Sequence, residues 1–165
     1  MTSFDEYVDQ AKRATRAVGE GFTKADDDWA PVALVYAEEK LLITYLALEK
    51  HEMLPALRSV VRQEKAHFVA MVMSTWHVQI EKRQGAREEY AAWRATHPNL
   101  SEHPDATELL LLDCGSPTRA EIWSADINRF PDRPPVLGEW KLFPEGTTGP
   151  MAHIAQRAFA TSGNA

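Results

Sequence analysis

The run from His67 to Glu81 constrains this chain more than any other segment. Phe68, Ala70, Val72, Ser74, Trp76, Val78 and Ile80 recur at every second position, the period at which side chains return to one face of a strand. The alternate positions begin apolar with Val69, Met71 and Met73, then turn polar at Thr75, His77, Gln79 and Glu81. Such a strand is expected to be covered on both faces at its start and on one face near its end. A second sheet signal follows at Leu109 to Cys114. The turn residues Gly115-Ser116-Pro117 come next, and Ala120 to Ile127 returns as the hairpin partner. Phe130 to Pro135 forms a proline-stiffened connection, and Val136 to Phe143, carrying Trp140, gives one more strand.

Helical signals frame these strands. Ser3 and Glu6 form a capping box, in which hydroxyl and carboxylate satisfy each other's backbone N–H groups. Phe4, Tyr7, Val8, Ala11, Thr15, Val18 and Phe22 then share a helical stripe, and Gly19 and Gly21 end it. Met53 to Gln63 reads as a helix with Pro55 in its first turn. Met151, Ile154, Ala155, Ala158 and Phe159, after Pro150, predict a short C-terminal helix that must dock on its own chain or on a partner. Residues 30–47 admit two readings. Val32–Ala37 and Leu41–Leu46 suit strands joined at Glu38-Glu39-Lys40, whereas Leu34, Glu38, Leu41, Leu42, Tyr45 and Leu46 also share a helix face. Their β-branched content and two apolar faces favour the hairpin. The expected fold is one α+β domain over residues 1–165. It has a single mainly antiparallel sheet, an N-terminal helix, one middle helix and a short C-terminal helix.

Between the two best strands lies a polar excursion, residues 82–107, where a functional surface is most expected. Ala86 to Ala95 fits a short helix presenting Tyr90 and Trp93, and Pro98 and Pro104 keep His97 to Asp105 irregular. Imidazole and carboxylate suit a divalent transition metal, so His97, His103 and Asp105 form a candidate ligand set that would activate water in a hydrolase. The loop departs from the His-x-His-Pro signature of metal-dependent isopeptidases, because Trp93 to Thr96 supplies no imidazole. The bland alternative is a stiff loop whose Ser101 or Asp105 bonds nearby backbone. His67 and His77, ten residues apart along one strand, lie too far apart to share an ion.

The remaining chemistry is sparse. Cys114 is the sole cysteine, which excludes an intrachain disulfide and a multi-cysteine zinc site, and a buried structural thiol is expected. Asp26-Asp27-Asp28 lacks the alternation and glycine turn of a calcium loop. Glu121 and Asp126 fall on opposite strand faces and cannot act as an acid/base pair. Phosphate-binding glycine loops, nucleophile elbows and His-Glu-x-x-His are all missing. Trp76 and Trp123 read as core pillars or as part of an aromatic groove, with the core preferred. A net charge of −6 argues against a nucleic-acid partner. The start Met1 to Glu6 has no basic n-region and no apolar run approaches a membrane span, so a cytoplasmic, non-membrane protein is expected.

Trp29-Ala30-Pro31-Val32, Ser74-Thr75-Trp76-His77-Val78 and Pro98-x-x-Ser101-Glu102-His103-Pro104-Asp105 together resemble a loosely defined set of small uncharacterised bacterial proteins. That resemblance, over residues 29–143, implies a Trp-centred strand before a Ser-x-x-Pro-Asp loop and a further hairpin. It implies no activity, cofactor or catalytic residue. The expected function is therefore a non-catalytic binding or assembly module without a cofactor, self-associating through a sheet face or the terminal helices. Its expected contact residues are Trp76, His77, Ser101, His103 and Asp105. The alternative is the metal-dependent hydrolase centred on His97, His103 and Asp105.

Overall fold

The computed structural model describes residues 1–46, 49–143 and 152–160. Its core is a curled seven-stranded sheet in the order β2-β1-β3-β4-β5-β6, with β7 also paired to β5. The strands are β1 (Val32–Ala37), β2 (Lys40–Tyr45), β3 (Phe68–His77), β4 (Thr107–Gly115), β5 (Ala120–Asn128), β6 (Val136–Leu137) and β7 (Lys141–Leu142). Every pairing is antiparallel. The helices are α1 (Phe4–Glu20), α2 (Lys50–Glu64), α3 (Ala86–Thr96) and α4 (Ile154–Arg157), and a short 3-10 turn spans Leu100–Glu102. The α+β class, the antiparallel sheet and the placing of the helices agree with the expectation from sequence. No described helix is long and apolar enough to cross a membrane.

The alternation in β3 explains the layering. Phe68, Ala70 and Val72 face α1, where they pack with Val8, Ala11, Leu34, Tyr36, Leu110, Leu112 and Cys114. Phe4 meets Phe68 edge-on at 5.3 Å, and Tyr7 stacks on Phe68 at 5.1 Å. Val69 and Met71 face the other way, into a second cluster with Met53, Leu57 and Val61 of α2 and Ile154 and Ala155 of α4. Both faces of the first half of β3 are thus buried.

Several boundaries differ from the sequence reading. β3 ends at His77, and its last four residues are exposed on both faces, where cover on one face was expected. α2 begins at Lys50, and Glu49 and Glu52 form its capping box. Pro55 therefore lies inside the helix and not in its first turn. Val136 to Phe143 is two short strands separated by Gly138, Glu139 and Trp140. At the break, Arg16 of α1 donates to the carbonyls of Leu137 (3.0 Å) and Gly138 (2.7 Å). Residues 30–46 adopt the hairpin, with Val32 opposite Tyr45 and Ala37 opposite Lys40, while Ala47 lies outside the described residues. The C-terminal helix is four residues long, and the expected start at Pro150 and Met151 lies outside the described residues.

Two glycines are required by close approach. The indole of Trp29 lies where a Cβ on Gly19 would stand, so α1 admits that ring only because residue 19 has no side chain. Gly115 meets the backbone of Gln156 in the same way, which allows α4 to seat directly on β4.

Candidate functional site

The polar excursion folds around one indole. Gly85, with φ 85°, turns the chain into α3. Tyr90 and Trp93 sit three apart on that helix, and His97 follows four residues later at its C-cap, so all three project from one side. The His97 imidazole stacks on Trp93 with centroids 4.4 Å apart and planes 3° from parallel. His103, beyond the 3-10 turn, meets the same indole edge-on at 4.6 Å and approaches Tyr90 at 6.1 Å. Tyr90 and Trp93 are themselves stacked at 6.4 Å. Offset and edge-on arrangements of this kind add about 0.5–1.5 kcal/mol per aromatic pair beyond burial.

Polar contacts hold this cluster in place. Arg83 joins the chain leaving β3 to α3, bonding Glu81 through Nε (2.8 Å) and Glu89 through Nη1 (3.1 Å). Those bonds draw the Glu89 carboxyl below its ordinary range. Arg94 donates to the carbonyls of His97 (2.8 Å) and Pro98, fixing the loop to the end of α3. His97 Nδ1 lies 2.9 Å from the Trp93 carbonyl, which requires a proton on that nitrogen. His103 Nδ1 accepts instead from the Asp105 N–H at 3.1 Å, so its other nitrogen carries the proton in the neutral ring.

The result is an open cleft of about 220 Å³ between three pieces of chain. Val78 to Glu81 forms one wall, Ala86, Glu89, Tyr90 and Trp93 of α3 a second, and His103, Pro104 and Asp105 a third. Its charged lining is Glu81, Glu89 and Asp105 against Arg83, a formal balance of −2 with His103 neutral. No described residue donates a hydrogen bond to the Asp105 carboxylate, and none pairs with it as a cation.

The residues singled out by sequence divide among separate places. His103 and Asp105 line the cleft together. Trp76 is 41% exposed, which corrects the core reading, and it lines a neighbouring groove of about 430 Å³ with Glu108, Arg129 and Phe130. His77 points to the opposite face of β3 and meets Phe143 edge-on at 6.2 Å. Ser101 is exposed in the 3-10 turn. His97 and His103 converge, but on Trp93. Among the described residues no group of three or more His, Cys, Asp or Glu side chains is placed to hold a metal ion, so His97, His103 and Asp105 do not form such a group. Trp123 packs against the core with Lys12 over its ring at 3.0 Å.

Sequence reasoning passed over Asp113. This carboxylate is buried on the α2–α4 face of β4, and its Oδ2 accepts from the N–H of Ala155 at 3.4 Å. Its Oδ1 has no partner among the described residues. Burial pushes its pKa up to about 7, against the pull of the Ile154 and Ala155 N–H groups and of Arg157. The available signal was an acid inside the apolar run Leu109 to Cys114. Cys114 beside it is fully buried, and burial raises its thiol pKa well above the ordinary value, so it is not a ready nucleophile. No protein-family model, curated protein or solved structure matches the chain.

Proposed function

We propose that this protein is a non-catalytic binding module that takes the cationic group of a peptide or small molecule into the cleft beside Trp93. The observation that carries this reading is the pairing of a flat aromatic surface, Tyr90 and Trp93, with a rim of three carboxylates and one guanidinium. His97 covers one face of the Trp93 indole, so the cation is received against the Tyr90 ring and the other side of the indole. Such a contact gains about 0.5–2 kcal/mol, more as water is excluded, and an unpaired carboxylate such as Asp105 adds to that attraction. The non-catalytic part is supported by the state of the two imidazoles. Each has its Nδ1 engaged with local backbone, and no described carboxylate bonds either ring in the way a general base is oriented. No specific geometric feature favours the hydrolase alternative.

The test is protein-observed NMR with argininamide and choline as probes and acetylglycine as the anionic comparison. The cationic probes are expected to shift the Trp93 indole N–H and the Asp105 amide at millimolar concentration. Trp93→Ala should abolish the response, and Asp105→Asn should weaken it about five- to tenfold. Equal responses to cationic and anionic probes, or shifts located elsewhere, would contradict the proposal.

A further inference from the structure

The two ends of the sheet are finished differently. At the β5 side, the strands are only two residues each, β6 and β7, and Pro131, Pro134 and Pro135 precede them. Short strands and prolines are the ordinary means of blunting an edge against pairing with another chain. At the other end stands β2, six residues long, in unbroken register with β1 and with no described strand on its outer side. From Leu41 to Leu46 it contains no charge, proline or glycine. Lys40, the one charged residue of β2, is already paired with Glu64.

The outer strand is also apolar where it should be wet. Leu41, Ile43 and Tyr45 are 45%, 58% and 71% exposed. They lie opposite Tyr36, Leu34 and Val32, on the face that α1 covers over the neighbouring strands. Rows of exposed aliphatic and aromatic side chains beside free backbone groups mark a strand built to accept another strand.

We propose that β2 pairs antiparallel with β2 of a second copy of this chain, joining two sheets into one across a two-fold axis near Ile43. This surface is separate from the Trp93 cleft, and the inference does not rest on the binding function proposed above. A second copy fits for three reasons. With the axis at Ile43, Ile43 meets itself, Leu41 meets Tyr45 and Leu42 meets Thr44, which are favourable cross-strand pairs. Each chain carries a net charge of −6, so copies approach most easily along an uncharged strip. The blunted opposite edge leaves only the isologous contact, which closes as a dimer instead of propagating as a fibre. A single strand pair is a small interface, so the dimer is reversible with a dissociation constant of roughly 10–100 μM.

Sedimentation equilibrium over a range from about 1 to 500 μM tests this directly. The expected result is a monomer–dimer equilibrium between 18.6 kDa and twice that mass. Ile43→Lys and Tyr45→Lys, both at exposed positions, should each weaken it at least tenfold, while Leu142→Lys on β7 leaves it unchanged. Ile43→Cys should form a disulfide-linked dimer under mild oxidation, and Leu142→Cys should not. Hydrogen exchange of the β2 amides should slow as protein concentration rises. A monomer throughout, a dimer indifferent to Ile43→Lys, assemblies beyond the dimer, or β2 protection independent of concentration would each overturn the proposal.

Discussion

Asp113 carries the clearest consequence at the scale of single residues. Its folded pKa, near 7, lies above the ordinary carboxyl value of 3.8, so the folded protein holds this proton more tightly than the unfolded chain does. The stabilising contribution is therefore complete below about pH 4 and is lost as pH rises towards 7, with a limiting slope of about 1.4 kcal/mol per pH unit. Above that range the cost of the ionised, buried carboxylate is constant. Asp113→Asn keeps an oxygen for the Ala155 N–H but cannot ionise. Denaturant unfolding at pH 5 and pH 8 should show the variant gaining on the native protein as pH rises, by on the order of 2 kcal/mol or more at pH 8. A native protein that grows more stable between those values relative to Asp113→Asn would contradict the assignment. Residue-level features of this kind are poorly legible in sequence. Asp113 sits in a leucine-rich strand, and its meaning depends on α4, some forty positions later, placing two N–H groups against it.

At the scale of elements, local signals were readable and distant ones were not. The capping box of Ser3 and Glu6 starts α1 as its spacing implies, because both partners lie within one turn. Pro55 points to a start near Met53, whereas the Glu49 and Glu52 capping box starts α2 at Lys50 and Pro55 is accommodated inside the helix. The split of β6 from β7 has no local signal in the run Val136 to Phe143, and the Arg16 contacts at the break come from α1, some 120 positions earlier. The stack of His97 on Trp93 follows helical spacing and was open to inference, whereas His103 arrives only through the Pro98–Pro104 loop. The seat of α4 on β4 is likewise a tertiary fact carried by one glycine. Gly115→Ala must push a methyl group into the Gln156 backbone. It should cost about 2 kcal/mol or more by chemical denaturation, since over-packing against backbone has no flexible side chain to yield. A loss below 0.5 kcal/mol would mean that α4 is not held there.

At the scale of the whole molecule, the sheet separates the packed core from the cleft proposed to bind a cation. The first half of β3 is covered by α1 on one face and by α2 and α4 on the other. The second half of β3 emerges from that cover and delivers the chain to α3 and its loop. The excursion is then organised by its own contacts, through Arg83, Arg94 and the aromatic group on Trp93. The proposed binding cleft requires that group to be formed in the free protein. The direct measurement is the chemical shift of the His97 and His103 ring protons in the free protein. Both rings lie within reach of the indole's ring current, so both are expected to be displaced from random-coil values, His97 upfield because it is stacked over the face, with both displacements lost in Trp93→Ala. Random-coil shifts for both rings in the free protein, unchanged by Trp93→Ala, would contradict a preformed site.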